Sequence, residues 1–204
     1  LRALGPRMPV HAAQLQGKDH VIQHRTAQQD RLLKHHRLAE AQSVALLRGR
    51  KIFESHGEEW TLVNERLQSV RGDMLEIQVE FSSMTASRYG LSVRRTETGD
   101  EETVLIYDER NQRFEVNREK STKDPRELTR GVQGGPLHLN GERLRLRVFV
   151  DRSLIEAYCN GLKSLTTRTY PSSEHADRVQ IHSDGDLRID RMEIWEMRPA
   201  FVAP

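Results

Sequence analysis

The chain has one cysteine, Cys159, in 204 residues, which excludes an internal disulfide framework. No histidine or lysine adjoins it in sequence to lower its pKa, so it is expected as a small buried hydrophobe rather than a reactive thiol. Aromatic residues make up only 5%, which leaves few rings for a sugar-stacking platform. No apolar run approaches the ~20 residues of a membrane-crossing helix. The opening LRALGPRMPVHAAQ lacks the apolar core of a signal peptide. A formal net charge of +2 is too small for a global field that draws the chain to nucleic acid or membrane. No cofactor is indicated.

The charge is unevenly placed. Residues 1–50 hold nine Lys and Arg against three Asp and Glu, whereas residues 51–204 carry a small acidic excess. Residues 1–40 form a basic, His/Gln/Arg-rich appendage, expected to be disordered or helical. The first 38 residues contain five of the nine histidines and no Phe, Trp or Tyr. Leu32, Leu33, His36, Ala39, Val44 and Leu47 approximate a helical period over Thr26 to Leu47. His20 and His24 have the spacing of two metal ligands on a helix, but no third ligand accompanies them, so no metal site is assigned. A nucleic-acid arm requires denser Lys/Arg clusters with aromatics, and a transit peptide more serine. The expectation for this segment is a solvated, poorly packed appendage.

From Lys51 the pattern is that of strands. Leu144, Leu146, Val148 and Val150 alternate with Arg145, Arg147, Phe149 and Asp151, giving a strand with one buried face. Asp151-Arg152-Ser153 breaks it. Leu154 to Cys159 is a second strand, expected to be central. Asn160-Gly161 is a tight hairpin turn with positive φ at both centres. Leu162 to Tyr170 returns, and Pro171 ends the ladder. Further strands are expected at Glu58 to Leu67 (anchored by Trp60, Leu62 and Leu67), Met74 to Phe81 (with Glu76, Gln78 and Glu80 outward), Tyr89 to Arg94, Thr103 to Tyr107 (on Val104 and Ile106), Arg113 to Asn117, Val179 to His182 and Leu187 to Met197. The last slips phase at Asp190-Arg191, the mark of a β-bulge. Arg71-Gly72-Asp73 is expected as turn chemistry rather than an adhesion ligand. The predicted fold is all-β, a sandwich or barrel, with a tail at 199–204.

The run RVFVDRSLIEAYCNG followed by TTRTYP resembles the C-terminal β-sandwich module of glycoside hydrolase family 32, the family of invertases, levanases and inulinases. Leu146 to Ser153, Glu156, Tyr158, Asn160, Gly161 and Thr167 to Pro171 carry the resemblance. Gly90 to Arg95, Tyr107 to Ser121, Gly134 to Leu137 and Ile194 to Met197 extend it in order. Asn117 stands where the family usually has Asp. Residues 1–38 match nothing of the aromatic-rich propeller end that precedes the module in this family, and a frameshift, truncation or mis-assigned start is the expected cause. The resemblance covers residues 41–198 and implies a two-sheet antiparallel β-sandwich serving a β-fructosidase as structural support. The implied partner is the catalytic β-propeller, absent here, with homodimer contacts a further implied role. Sucrose or fructan contact is expected to be weak at most.

Catalytic residues are not expected in the chain. A retaining glycosidase uses two carboxyl groups ~5–5.5 Å apart, which the family places on the propeller in an Asn-Asp-Pro-Asn box, an Arg-Asp-Pro box and a Glu-Cys box. The first is missing. Lys123-Asp124-Pro125 mimics the second inside a charged loop. No Glu directly precedes Cys159. Asp151, Ser153 and Glu156 suggest a triad without a histidine, and are expected as turn chemistry. Two rival readings remain. One is an autonomous lectin-like fructan-binding module using two coplanar exposed rings among Trp60, Trp195, Tyr89, Tyr107 and Tyr170, although both Trp are expected as core anchors. The other is an interaction protein whose basic residues 1–50 bind an acidic partner.

Overall fold

The computed structural model describes residues 48–127 and 130–198. The helix expected at Thr26 to Leu47, the His20/His24 pair and the tail at 199–204 lie outside the described residues. Among those described, the order is β1 (Arg48–Glu59), α1 (Trp60–Leu67), β2 (Met74–Ser83), β3 (Arg88–Arg95), β4 (Thr103–Asp108), β5 (Arg113–Asn117), β6 (Val132–Pro136), β7 (Leu144–Asp151), β8 (Leu154–Cys159), β9 (Lys163–Arg168), β10 (Arg178–Ser183) and β11 (Leu187–Met197). They form a six-stranded sheet, β1-β11-β2-β7-β8-β9, and a five-stranded sheet, β10-β3-β4-β5-β6. All described pairings are antiparallel.

Alternation builds the core. Leu75, Ile77, Val79 and Phe81 of β2 face inward beside Leu144, Leu146, Val148 and Val150 of β7. Opposite them stand Leu91, Val93, Leu105, Phe114 and Val116 of the smaller sheet. Each such side chain removed from water contributes about 1.5–3 kcal/mol, and together they hold two sheets that neither could stabilise alone.

The signature strands sit as the sequence implies. β8 lies between β7 and β9, inside the larger sheet. Asn160 and Gly161 have φ of 48° and 63°, the left-handed pair that this turn demands. Cys159 is fully buried, and burial pushes its thiol pKa well up. The bulge in β11 is present: Ile189 pairs with Phe81, and the next pair is Arg191 with Glu80.

Five expectations are corrected. Glu58 to Leu67 is not a strand: β1 ends at Glu59 and α1 begins at Trp60. Val63 and Leu67 are buried one turn apart, with Trp60 packed on the core, while Leu62 is exposed. That is a helical stripe. The strand pattern was expected from Lys51, but Arg48 and Gly49 already belong to β1. In β4 the phase is inverted: Leu105 and Tyr107 are buried and Val104 and Ile106 half-buried, because the run is apolar on both faces. A strand that was not expected, β6, forms at Val132–Pro136. β9 runs from Lys163 to Arg168, and Leu162 stays in the turn, exposed.

The open sides of the sandwich are closed by side chains. Gln133 Nε2 donates to Thr166 O at 3.0 Å, and Lys163 Nζ donates to Pro136 O at 3.2 Å, tying β6 to β9. On the other side Asn64 of α1 serves the free edge of β10. Its Nδ2 donates to Ile181 O at 2.9 Å and its Oδ1 accepts from Ile181 N at 2.8 Å.

Candidate functional site

Of the carboxylates singled out in the sequence, Asp124 and Glu156 have local partners, and Asp151 is exposed. Asp124 Oδ1 accepts from Arg126 N at 2.9 Å and Nε at 3.0 Å, and its Oδ2 accepts from Arg126 Nη2 at 2.8 Å. The Arg126 side-chain bonds, then its backbone bond, hold the Asp124 carboxyl down at about 2. An acid that stays ionised to that pH makes a poor proton donor. Ser153 Oγ accepts from Arg168 Nη1 at 3.1 Å, rather than bonding the local backbone. Glu156 lies beside Tyr158 Oη at 3.4 Å. The histidines with side-chain partners engage Glu54, Gln112, Ser92 and Glu102, and none of these contacts reaches Asp151, Ser153 or Glu156.

The Arg-Gly-Asp turn is tied inward. Arg71 Nε stands 3.7 Å from Asp177, Gly72 N donates to Asp177 O at 2.9 Å, and Asp73 O accepts from Arg152 N at 2.7 Å. The proposed aromatic platform is dispersed. Tyr89 and Tyr107 are buried, edge to face at 5.9 Å and 73°. Trp195 is not a core anchor. It lies on the outer face of the larger sheet, with the Arg48 guanidinium 4.0 Å from its ring centroid.

Two carboxylates matter more than alternation suggested. Glu76, expected outward, has no exposed surface. Arg48 clamps it through Nε to Oε2 and Nη2 to Oε1, both 2.5 Å. Arg147 Nε adds a bond at 2.8 Å and Gln78 Nε2 one at 2.7 Å. Burial raises the Glu76 carboxyl, but the Arg48 and Gln78 bonds and the two guanidinium charges outweigh it and leave it lowered. Glu101, also fully buried, accepts from Lys123 N and Ser172 N at 2.8 Å and from Ser173 N at 2.9 Å. Burial opposes its ionisation, and the three backbone bonds overcome that and lower its pKa. Glu101 thus joins the loop after β5 to the one after β9. Neither partnership could be read from sequence, since Arg147 is 71 residues from Glu76 and Ser172 is 71 from Glu101.

One cleft of about 280 Å³ opens at the end of the sandwich. Phe81, Tyr89, Tyr107, Glu109, Gln112 and Asn140 are among the residues that line it. Among the described residues, no group of three or more His, Cys, Asp or Glu is placed to hold a metal.

The model of the family described as "Glycosyl hydrolases family 32 C terminal" matches residues 43–196. The levanase of Bacillus subtilis is 29% identical over 62% of this chain and 19% of its own length. The sucrose-6-phosphate hydrolase of Zymomonas mobilis is 28% identical over 63% of this chain and 25% of its own. The extracellular exo-inulinase of Aspergillus niger is 30% identical over 60% and 24%. The chain therefore spans a quarter or less of these curated relatives. Among solved structures, exo-inulinase from Aspergillus awamori superposes with a TM-score of 0.64 at 22% identity, over 78% of this chain and 31% of that one. Fructan 1-exohydrolase IIa from Cichorium intybus gives 0.63 at 14%, over 77% and 37%. These structural likenesses establish the sandwich fold.

Proposed function

With residues 43–196 matched to its model, the chain belongs to the C-terminal family of the family 32 glycosyl hydrolases, and from that membership we propose that it is the structural β-sandwich module of a fructan- or sucrose-cleaving enzyme. The module takes in residues 41–198. Its work is to pack against a catalytic propeller and stiffen it, and contacts between two copies of the parent are part of the same reading. The parent hydrolyses β-fructosidic bonds with retention, using two carboxyl groups ~5–5.5 Å apart on the propeller. The module itself hydrolyses nothing and takes no metal or organic cofactor.

One observation carries this reading. The family match spans the sandwich, while the levanase and sucrose-6-phosphate hydrolase relatives are four or more times longer than the segment they share with it. Three carboxylates are consistent with it: Asp124, Glu76 and Glu101 are held by arginines or backbone amides. The test is to translate the DNA upstream of residue 41 in all three frames. The expected result is a propeller sequence carrying the three carboxylate boxes. Its absence from every frame removes the partner that the proposal requires.

A further inference from the structure

The cleft at the end of the sandwich is a built site whose polar groups are left over from folding. Tyr89 is 4% exposed and lines it, yet its hydroxyl makes no hydrogen bond to any described residue. The ring is buried while the hydroxyl, without a protein partner, is left to meet a group in the cleft. Tyr107 Oη donates to Leu137 O at 3.3 Å, which leaves its lone pairs available. Gln112 faces His138 Nδ1 through Oε1, leaving its amide NH₂ to donate.

The charged lining residues separate into two groups. Arg143 pairs with Asp190 at 2.8 Å and Glu142 with Arg145 at 3.1 Å. Glu109 forms no ion pair among the described residues, and its charge acts on both tyrosine hydroxyls. The lining thus offers one open carboxylate, two phenol oxygens, carboxamides from Gln112 and Asn140, and the apolar edge of Phe81.

That inventory selects a ligand class. The open carboxylate repels anions. The metal-ligating density that a divalent cation needs is missing among the described residues. A purely apolar ligand would strand the hydroxyls and carboxamides. A ring bearing several neutral hydroxyls satisfies all of them: a carboxylate accepts from two neighbouring hydroxyls, and phenols and amides both donate and accept. A volume of about 280 Å³ suits one such ring and not a chain of them. We propose that this cleft binds a single neutral monosaccharide ring, with Glu109 and the Tyr89 hydroxyl as its principal hydrogen-bonding groups. The mode differs from an aromatic stacking platform, since the rings here are walls and the recognition is polar.

The test is to titrate the ¹⁵N-labelled full chain with D-fructose, D-glucose and glycerol by NMR. At least one sugar is expected to shift cleft residues saturably, with a Kd on the order of millimolar, as befits a dozen heavy atoms. Glycerol, with half the atoms, should bind at least tenfold more weakly. Glu109→Gln should raise the Kd about tenfold, the effect of one charge-assisted hydrogen bond, and Tyr89→Phe about fivefold. Both variants should fold, since Glu109 is exposed and the Tyr89 hydroxyl holds nothing. The proposal fails if neither sugar gives saturable shifts at cleft residues. It also fails if glycerol binds as well as the sugars, or if both variants bind like the wild type.

Discussion

Glu76 lies on the outer face of the larger sheet and yet has no exposed surface. Two guanidinium groups cover it, one resting on Trp195 at 4.0 Å and the other over Phe149 at 4.8 Å. The cluster links the first described strand to the centre of the sheet. Glu76→Leu should cost about 3 kcal/mol in urea unfolding, because it strands two arginines that a carboxylate now satisfies. A loss below about 0.5 kcal/mol would mean that water already screens the pair. Acid should act through the same residues. The Glu76 and Glu101 carboxyls are held below their ordinary value in the fold, so the stability they add is full above about pH 4.3 and fades as pH falls through their lowered values. Thermal melts across that range should show a decline that Glu101→Gln diminishes; a flat profile in the wild type contradicts it. Sequence alternation placed Glu76 on the correct face. It could not show burial there, because Arg48 and Arg147 reach Glu76 from strands 28 and 71 residues away.

Among the elements, α1 and the β8–β9 hairpin show what was legible and what was not. Asn160-Gly161 announced its turn because two left-handed residues in a row are a strong local demand. Asn160 also clamps β7, accepting from Arg145 N at 2.8 Å and donating to Arg143 O at 2.8 Å. Gly161→Val should destabilise by about 1 kcal/mol or more, since φ there is 63°; an unchanged melting temperature would show that the turn relaxes. The helix was misread because eight residues give barely two turns of period, and Trp60, Leu62 and Leu67 do not distinguish helix from strand without knowledge of the core. β4 was read out of phase for a related reason: in Thr-Val-Leu-Ile-Tyr every residue is compatible with burial. Asn64 has no sequence signal at all, yet it stands in for a neighbouring strand at the edge of β10. Asn64→Ala should lose about 2 kcal/mol and expose a pairing edge, visible as concentration-dependent association in size-exclusion chromatography. A variant that stays monomeric and equally stable would show the edge to be protected otherwise.

For the molecule as a whole, the fold class was the most legible property. Short alternating segments separated by turn residues leave few options besides a sandwich or barrel, and the Leu146 to Pro171 motif selected among them. The sheet order was not legible, because β10 and β11 cross to opposite sheets and pair with strands far earlier in the chain. The charged groups most deeply buried, Glu76 and Glu101, are held by arginines and backbone amides. As proposed above, this module supports fructoside hydrolysis and does not perform it. The most direct test is fructose release from sucrose, inulin and levan by the purified chain. No fructose above the enzyme-free blank is expected for any of the three. Fructose that accumulates in proportion to chain concentration, and that survives further purification, would contradict it.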